Sequence, residues 1–588
     1  MTTSSVTATI TFKARLALGA IGYLLINRYT AFLLAMVAYS LTIKALGGLG
    51  GMLFFRTDGS LALNQQYLES TLVFYLYCYF NQILRPSRWQ ALLAAIPLLL
   101  MYVGQDIYYL MYSNVFRVSE LAEVPELLKV LTPTHIALLM VAVVLPLGCF
   151  LCSIHVRRYL VIVAGALPVL VLIGAAEYFS EQYVATYNQV GREIIYWSDA
   201  VSMENNGRFM MLLYREAERK NSQVKTEAFR NRAQYEQQAQ QLAGWVQANG
   251  NKRNVHLIVM ESFLDPTLFK GATYTKDPFH PSFKKLFGNK MGFSLSPVVG
   301  GKTAQAEFEV LCGVPAFEEL AGVEFNGFTG APAYCLPGTL QLAGYQTIAS
   351  NAYNPSFFNE PTAYKGMGFD RIYFPKDYLT GSDSYLSLGD TTGEMGYMFD
   401  SAFFQQNLEF IAPFIKDNDG PPLFNYLMTV YGHFPHILNE KKRPLVLKML
   451  SSFKDHHLEM AANQIFYRSE AVADYVNRLL EIDEKSLIIL VSDHVPPGQY
   501  GKVSFDKLRY LNNKEDSIHM NRILIVEDGK AKKYATIHHY DVPAMVLNYI
   551  SKGAYCKEHS CGFAENKLLD DRMGRHDDYM RVMAHATE

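Results

Sequence analysis

The uneven distribution of apolar residues constrains this chain more than any other feature. Residues 1–180 are dominated by Leu, Ala, Val, Ile and Tyr, whereas residues 181–588 have the composition of a soluble domain. Five apolar runs lie in the first part, at 30–49, 67–84, 89–112, 135–154 and 159–179. Each approaches the roughly 20 residues that cross a bilayer core, which predicts an N-terminal α-helical transmembrane bundle of five spans. Lys13, Arg15 and Arg28 precede the first run, Arg85 and Arg88 separate the second from the third, and Arg157 and Arg158 separate the fourth from the fifth. The loop after the third run carries Glu120, Glu123 and Glu126 instead. Basic loops stay cytoplasmic, so the N-terminus is expected inside, and five crossings carry everything after Phe179 outside. The run at 16–26 is too short to span and reads as an interfacial helix; a sixth span there would turn the soluble part inward. No small-residue cleavage site follows that run, which argues against a cleaved signal peptide.

The expected organisation is therefore a transmembrane domain (1–180), a juxtamembrane helical linker (181–250) and an extracytoplasmic catalytic domain (251–588). Asp106 and Glu177 fall within or at the ends of spans, near Tyr-rich positions that read as interfacial and solvated. Trp197 and Trp245 lie in the linker, where they could anchor at the interface. Net charge is −2, which offers nothing to a nucleic-acid partner. Among the seven cysteines, Cys78, Cys149 and Cys152 sit in apolar runs and read as packing residues. Cys312, Cys335, Cys556 and Cys561 lie in the soluble part; Cys556 and Cys561 are close enough to bridge or to remain two thiols.

In the soluble part, short β-branched apolar runs at 254–260, 345–349, 424–430, 486–491 and 522–526 read as buried strands. Helical patterns at 464–482 and 544–550 lie between and after them. Alternation of strands and helices predicts an α/β domain with a mainly parallel sheet. Three of these runs lead into polar residues: Glu261-Ser262, Tyr431-Gly432-His433 and Ser492-Asp493-His494. Sites in open α/β sheets gather at the carboxyl ends of strands, so one shared site is expected. A Gly-Gly-Lys-Thr turn at 300–303 adds a hydroxyl. Two carboxylates, an imidazole and a hydroxyl suit one divalent cation, with manganese or zinc fitting the imidazole better than magnesium. A threonine hydroxyl needs such activation to act as a nucleophile. The turn is not a nucleotide-binding loop, because Ser296 stands where that pattern requires glycine.

The ordered stretches NVHLIVMESF (254–263), GGKTAQAEFEVLCGVP (300–315), LPGTLQLAGY (336–345), GMGFD (366–370), YGHFP (431–435), SDHVP (492–496) and DVPAMVLNYI (541–550) resemble the lipoteichoic acid synthase family of membrane phosphoglycerol transferases. That family lies within the alkaline phosphatase/sulfatase superfamily. The resemblance implies that Glu261, Thr303, Asp493 and His494 bind one divalent cation, manganese first, with zinc or magnesium as alternatives. It implies that Thr303 is the nucleophile and that His433 contacts the substrate phosphate or assists the leaving group. It further implies phosphatidylglycerol as donor, a phosphothreonine-type intermediate, and a glycan or polymer hydroxyl as acceptor, at the outer face of the cytoplasmic membrane. One position departs: the family's F-W-N-R segment is Phe357-Phe358-Asn359-Glu360 here, so an acid replaces the arginine expected at the phosphate. Lys302, Lys365 or Arg371 are candidate substitutes for its charge. Glu360 could instead pair with an ammonium, which keeps a phosphoethanolamine transferase using phosphatidylethanolamine as the alternative; a membrane-bound phosphodiesterase is a further one. A sulfatase activity is disfavoured, because no C/S-x-P-x-R segment is present. Glu307 and Phe308 read as structural, His519 as a possible neighbour of the site, and His436, His456, His457, His538 and His539 as surface or packing residues.

Overall fold

The computed structural model describes residues 27–49, 67–112, 140–195, 199–379, 382–392, 396–416 and 420–588, with residues 118, 134 and 137–138. Apart from Met111–Ser113, the chain divides into two compact units between Lys220 and Asn221.

In the first unit, helices α1 (Arg28–Leu49), α2 (Tyr67–Ile83), α3 (Gln90–Tyr112), α4 (Leu145–Cys152) and α5 (Tyr159–Tyr178) occupy the five apolar runs. A π-helical turn, Met140–Val144, leads into α4; residues 135, 136 and 139 of that run, like 16–26, lie outside the described residues. Among the described residues, only Val156–Tyr178 is both long and apolar enough to cross a membrane. Arg28–Ala38, Gln90–Gln105 and Met140–Cys152 are shorter apolar helices. On α5 the apolar side chains point outward: Leu160, Val163 and Leu170 are each at least 60 % exposed. An apolar stripe of this extent on a helix surface marks an interaction with lipid or protein. Tyr75 and Tyr79 on α2 donate to the Gly165 and Ile162 carbonyls of α5 at 2.8 and 2.9 Å. The Glu177 carboxylate pairs with Lys220 at 2.6 Å, as suits a solvated helix end. The side chain of Asp106, and Trp197 altogether, lie outside the described residues.

The second unit is built on a nine-stranded sheet. Its strands are β1 (Val255–Met260), β2 (Gly292–Leu295), β3 (Gln346–Asn351), β4 (Arg371–Tyr373), β5 (Leu423–Met428), β6 (Leu487–Ser492), β7 (Met520–Glu527), β8 (Lys530–Lys532) and β9 (Ile537–His538). The order is β9-β2-β7-β6-β1-β5-β3-β4, with β8 on β7. The five strands from β6 to β4 run parallel, while β7 runs antiparallel to both β6 and β2. Every residue of β1, β5 and β6 is buried. Continuous apolar runs are what a parallel sheet covered on both faces requires. Four strands carry weak sequence signals and escaped the reading: β2, β4, β8 and β9 are short or polar, and pairing rather than propensity makes them strands.

Helix α6 (Arg232–Asn249) opens within this unit, capped by Asn231, whose Oδ1 accepts from the Gln234 N–H at 3.2 Å. Trp245 packs edge to face on Tyr555, with centroids 5.8 Å apart. It is thus a packing residue of this unit. Cys556–Cys561 is bonded, and so is Cys312–Cys335, a pairing not anticipated because 23 residues separate the two.

Candidate active site

Register creates the site. Met260 of β1 pairs with Ser492 of β6, so the next residues, Glu261 and Asp493, leave the sheet side by side. Met428 of the adjacent β5 lies level with Val259, which brings the Thr429–His433 turn to the same edge. The third contribution comes from helix α7 (Thr303–Cys312). Gly300, Gly301 and Lys302 all have positive φ, a conformation glycine adopts without cost, and the turn delivers Thr303 as the first helical residue. The Gly300 N–H is held by the Val495 carbonyl at 3.0 Å, fastening this turn to the segment after His494.

Thr303 Oγ1 lies 3.0 Å from Glu261 Oε2, 3.0 Å from Asp493 Oδ2 and 3.5 Å from His494 Nε2. All four side chains are buried. The structure therefore brings Glu261, Thr303, Asp493 and His494 to one point. His494 Nδ1 faces the Val495 carbonyl at 2.9 Å. A carbonyl only accepts, so Nδ1 carries the hydrogen and Nε2 turns a lone pair toward Thr303 and the carboxylates. This is the tautomer and second-shell bond that ligating histidines adopt.

Two buried carboxylates face one another here. Burial, reinforced by the facing Glu261 carboxylate, pushes Asp493 well above the ordinary carboxylate range. Glu261 suffers the same burial, but the His433 and His494 imidazoles outweigh it and hold Glu261 below its ordinary value. Burial pushes His494 down, against the opposing pull of the Glu261 carboxylate. Glu261, Asp493 and His494 each present a ligand atom within 4.8 Å of the others. Two buried carboxylates, a lone pair and a hydroxyl with no cationic side chain among them fit one divalent ion.

His433 sits beside this cluster. Its Nδ1 lies 2.7 Å from the Phe434 carbonyl and 2.9 Å from Tyr397 Oη. Nδ1 therefore holds a hydrogen, which leaves Nε2 to exchange a proton.

Two further residues hold the site in shape: Arg468, which sequence reasoning passed over, and His539, which it read as a surface or packing residue. Arg468, only 1 % exposed, donates to the Glu261 carbonyl at 2.7 Å and pairs with buried Asp400 at 2.7 Å. His539 is fully buried, with Nε2 3.0 and 3.1 Å from the Ser492 and Asp493 carbonyls and Nδ1 2.7 Å from Ser294 Oγ. Burial pushes it down to about 3, so it is a neutral donor to the end of β6. Arg468 gives no sequence signal, being one arginine in a long helix; the His539 signal is its position just before the DVPAMVLNYI stretch.

The remaining candidates fall elsewhere. His519 is bound to the Ser296 carbonyl at 2.8 Å. Lys302 pairs with Glu318, and Arg371 lies over the Phe414 ring at 5.5 Å. Glu360 is buried and takes a hydrogen bond from Asn351 Nδ2 at 2.9 Å. Burial and nearby Glu307 push it well above the ordinary carboxylate range. Burial and the neighbouring acid thus both work against the ionised form at the position where the charge reversal was expected.

The sulfatase family model matches residues 253–551, about half of the chain, and spans every strand just described. The chain belongs to the sulfatase family. Within that family it is similar to a candidate cyclic beta-1,2-glucan modification protein of Rhizobium meliloti, at 26 % identity over 42 % of this chain and 36 % of the relative. It is also similar to the lipoteichoic acid synthase of Staphylococcus aureus (strain USA300), at 24 % identity over 44 % of this chain and 38 % of the relative. The chain thus spans little more than a third of the length of these relatives. Among solved structures, the Streptococcus pyogenes phosphoglycerol transferase GacH in complex with sn-glycerol-1-phosphate matches with a TM-score of 0.46. Its identity is 18 %, over 61 % of this chain and 92 % of that one. This sulfatase-family chain carries Thr303 as the hydroxyl that meets both carboxylates of its site.

Proposed function

We propose that this protein is a membrane phosphoglycerol transferase, moving the head group of phosphatidylglycerol through Thr303 to a hydroxyl of a cell-envelope glycan or polymer. The observation that carries the reading is the Thr303 hydroxyl held 3.0 Å from each of two buried carboxylates, with the His494 Nε2 lone pair beside it. The similarity to a lipoteichoic acid synthase supports the donor class.

Glu261, Thr303, Asp493 and His494 would hold one divalent cation, manganese first, with zinc or magnesium as alternatives. Such an ion, when bound, lowers the pKa of the hydroxyl and offsets charge on the phosphoryl oxygens. Thr303 Oγ1 attacks phosphorus, its proton passes to a carboxylate, and the bond from phosphorus to the diacylglycerol oxygen breaks. Protonated His433 gives that oxygen a proton through Nε2. Neutral His433 then takes the proton of the acceptor hydroxyl as its oxygen attacks phosphorus, the Thr303 Oγ1–P bond breaks, and Oγ1 takes back its proton from the carboxylate. The dipole at the helix α7 N-terminus, where Thr303 stands, would favour a phosphoryl group. The alternative donor, phosphatidylethanolamine, would require Glu360 to be an anion for the ammonium; its burial and its bond to Asn351 speak against that.

We further propose five spans, a cytoplasmic N-terminus and an outward catalytic unit. The two disulfides support an oxidising compartment for that unit, and the outward apolar face of α5 supports contact with lipid.

The test is mass spectrometry of the Thr303 peptide after incubation with phosphatidylglycerol or phosphatidylethanolamine. A glycerol-phosphate adduct is expected with the first lipid, and none in Thr303→Ala. An ethanolamine-phosphate adduct alone would replace the donor; no adduct with either would refute the intermediate.

A further inference from the structure

Five apolar side chains that the second unit leaves in solvent border the carboxyl edge of the sheet. Val299 directly precedes the Gly300–Thr303 turn, Phe434 directly follows His433, and Ile437 comes shortly after it. Tyr500 and Val503 lie on the segment that leaves Asp493 and His494. Their exposures run from 38 % at Val299 to 54 % at Tyr500, whereas Thr303 is buried. Contacts join them into one rim. The Val495 carbonyl holds the Gly300 N–H, and a Cβ at Gly300 would meet Pro497 at 3.4 Å, so Val299 lies against the segment that carries Tyr500. Tyr500 packs on Phe453 with centroids 5.6 Å apart, and Gln499 Oε1 accepts from the His456 N–H at 3.2 Å. The neighbouring His457 meets the Phe434 ring at 4.8 Å, and Gln464, further along the same helix, donates to the Ile437 carbonyl at 3.1 Å. The exposed charges on residues 452–457 and 497–507 are Lys454, Lys502 and Lys507 against Asp506, so the rim is basic.

We propose that this rim is a membrane-contact surface, its apolar side chains seated in the headgroup layer of an anionic bilayer; this rests on the phospholipid-donor reading of the Thr303 site. Withdrawing a diacyl lipid into water exposes the methylenes of both chains. A site that goes to the headgroup avoids that cost, and the rim surrounds the segments that bear Thr303, His433 and His494. Apolar side chains interleaved with lysine are the pattern of a surface that lies on a membrane: the apolar groups enter the boundary between headgroups and acyl chains, and the lysines are drawn to anionic lipid. The amphipathic ring of a tyrosine such as Tyr500 favours that depth. Cores of interfaces between proteins are depleted of lysine, which sets the rim apart from a contact between two copies of this chain.

The experiment uses the full chain with Cys78, Cys149 and Cys152 changed to Ser, reconstituted in vesicles of phosphatidylglycerol and phosphatidylcholine. A single added cysteine, Ile437→Cys or Val503→Cys, carries an environment-sensitive fluorophore, and Glu484→Cys, exposed just before β6 at the amino edge of the sheet, is the control. Lipids brominated near the headgroup end of their chains are expected to quench the labels at 437 and 503 and to spare the label at 484. Ile437→Asp/Val503→Asp should raise the KM for phosphatidylglycerol in vesicles about tenfold more than the KM for a dispersed short-chain phosphatidylglycerol. Melting curves check that the variants fold. Rim labels that lipid leaves as bright as the control overturn the inference. So does cross-linking of two chains through Val503→Cys without lipid quenching, which would assign the face to a second copy. Quenching at the rim with no adduct on Thr303 keeps the membrane contact and refutes the transferase reading. An adduct on Thr303 with an unquenched rim gives the reverse.

Discussion

At the scale of single residues, the site depends on charges kept from water and on the groups that balance them. Glu261, Asp493 and His494 have no cationic side chain between them, so removing any one takes away a ligand. Each Ala variant is expected to lower bound manganese or zinc at least tenfold, read by metal analysis after dialysis. Exhaustive chelation should abolish turnover, and added manganese or zinc should restore it. Arg468 is a different case. It is buried, pairs with buried Asp400 and supports the Glu261 carbonyl. Arg468→Met would leave Asp400 uncompensated, with an expected loss of about 3–5 kcal/mol in unfolding free energy by denaturant titration. The double variant Arg468→Met/Asp400→Leu should recover most of that stability, because it is the unpaired charge that is costly. The residues that meet at Thr303 Oγ1 were legible in the sequence because each ends or begins an element with its own pattern. Arg468 was not, because nothing local distinguishes an arginine that reaches a carbonyl 207 residues away.

At the scale of elements, helix α7 links Thr303 to the core. Glu307 lies one turn beyond Thr303 on the same face and accepts from Tyr364 and Tyr426 at 2.5 and 2.6 Å. Burial pushes Glu307 up to about 7 from 4.5. The folded chain thus binds more protons than the unfolded chain between those values, and the contribution of Glu307 makes stability fall as pH rises through that window. Glu307→Gln keeps an acceptor for both tyrosines and removes the titration. Its melting temperature is expected to change less between pH 5 and 8 than that of the native chain, by parallel thermal melts. Gly432 sets a second constraint: a Cβ there would stand 2.0 Å from the Glu261 carbonyl oxygen and 2.2 Å from Arg468 Nη1. Gly432→Ala must displace the Glu261 backbone and is expected to weaken metal binding. The strands that host the site were readable because they are fully buried, and continuous apolar runs survive in any sequence that builds them. The edge strands β4, β8 and β9 were not, since only a partner already in place makes such short segments strands.

At the scale of the whole molecule, the claim to check is which side of the membrane holds the sheet. Cysteine-accessibility labelling at an added surface cysteine in 251–588 should mark intact cells with an impermeant reagent if the catalytic unit faces outward. Labelling only after lysis would reverse the orientation. The Cys312–Cys335 bond ties the end of α7 to the segment after Tyr334. Closing a loop of this size stabilises by about 3 kcal/mol in the chain-entropy model, so Cys312→Ser/Cys335→Ser should melt several degrees lower. By itself the sequence determined the division into an apolar and a polar part, the α/β class and the residue types at the carboxyl ends of β1 and β6, because period, run length and strand-end polarity are local properties. Only the tertiary structure decided that four residues spread over more than 230 positions share one point, that β7 runs antiparallel, that Glu360 is buried beside another acid, and that Arg468 and His539 support the site. Each of these depends on which segments become neighbours, and burial, pairing and proton affinity are set by neighbours that the order of residues does not name.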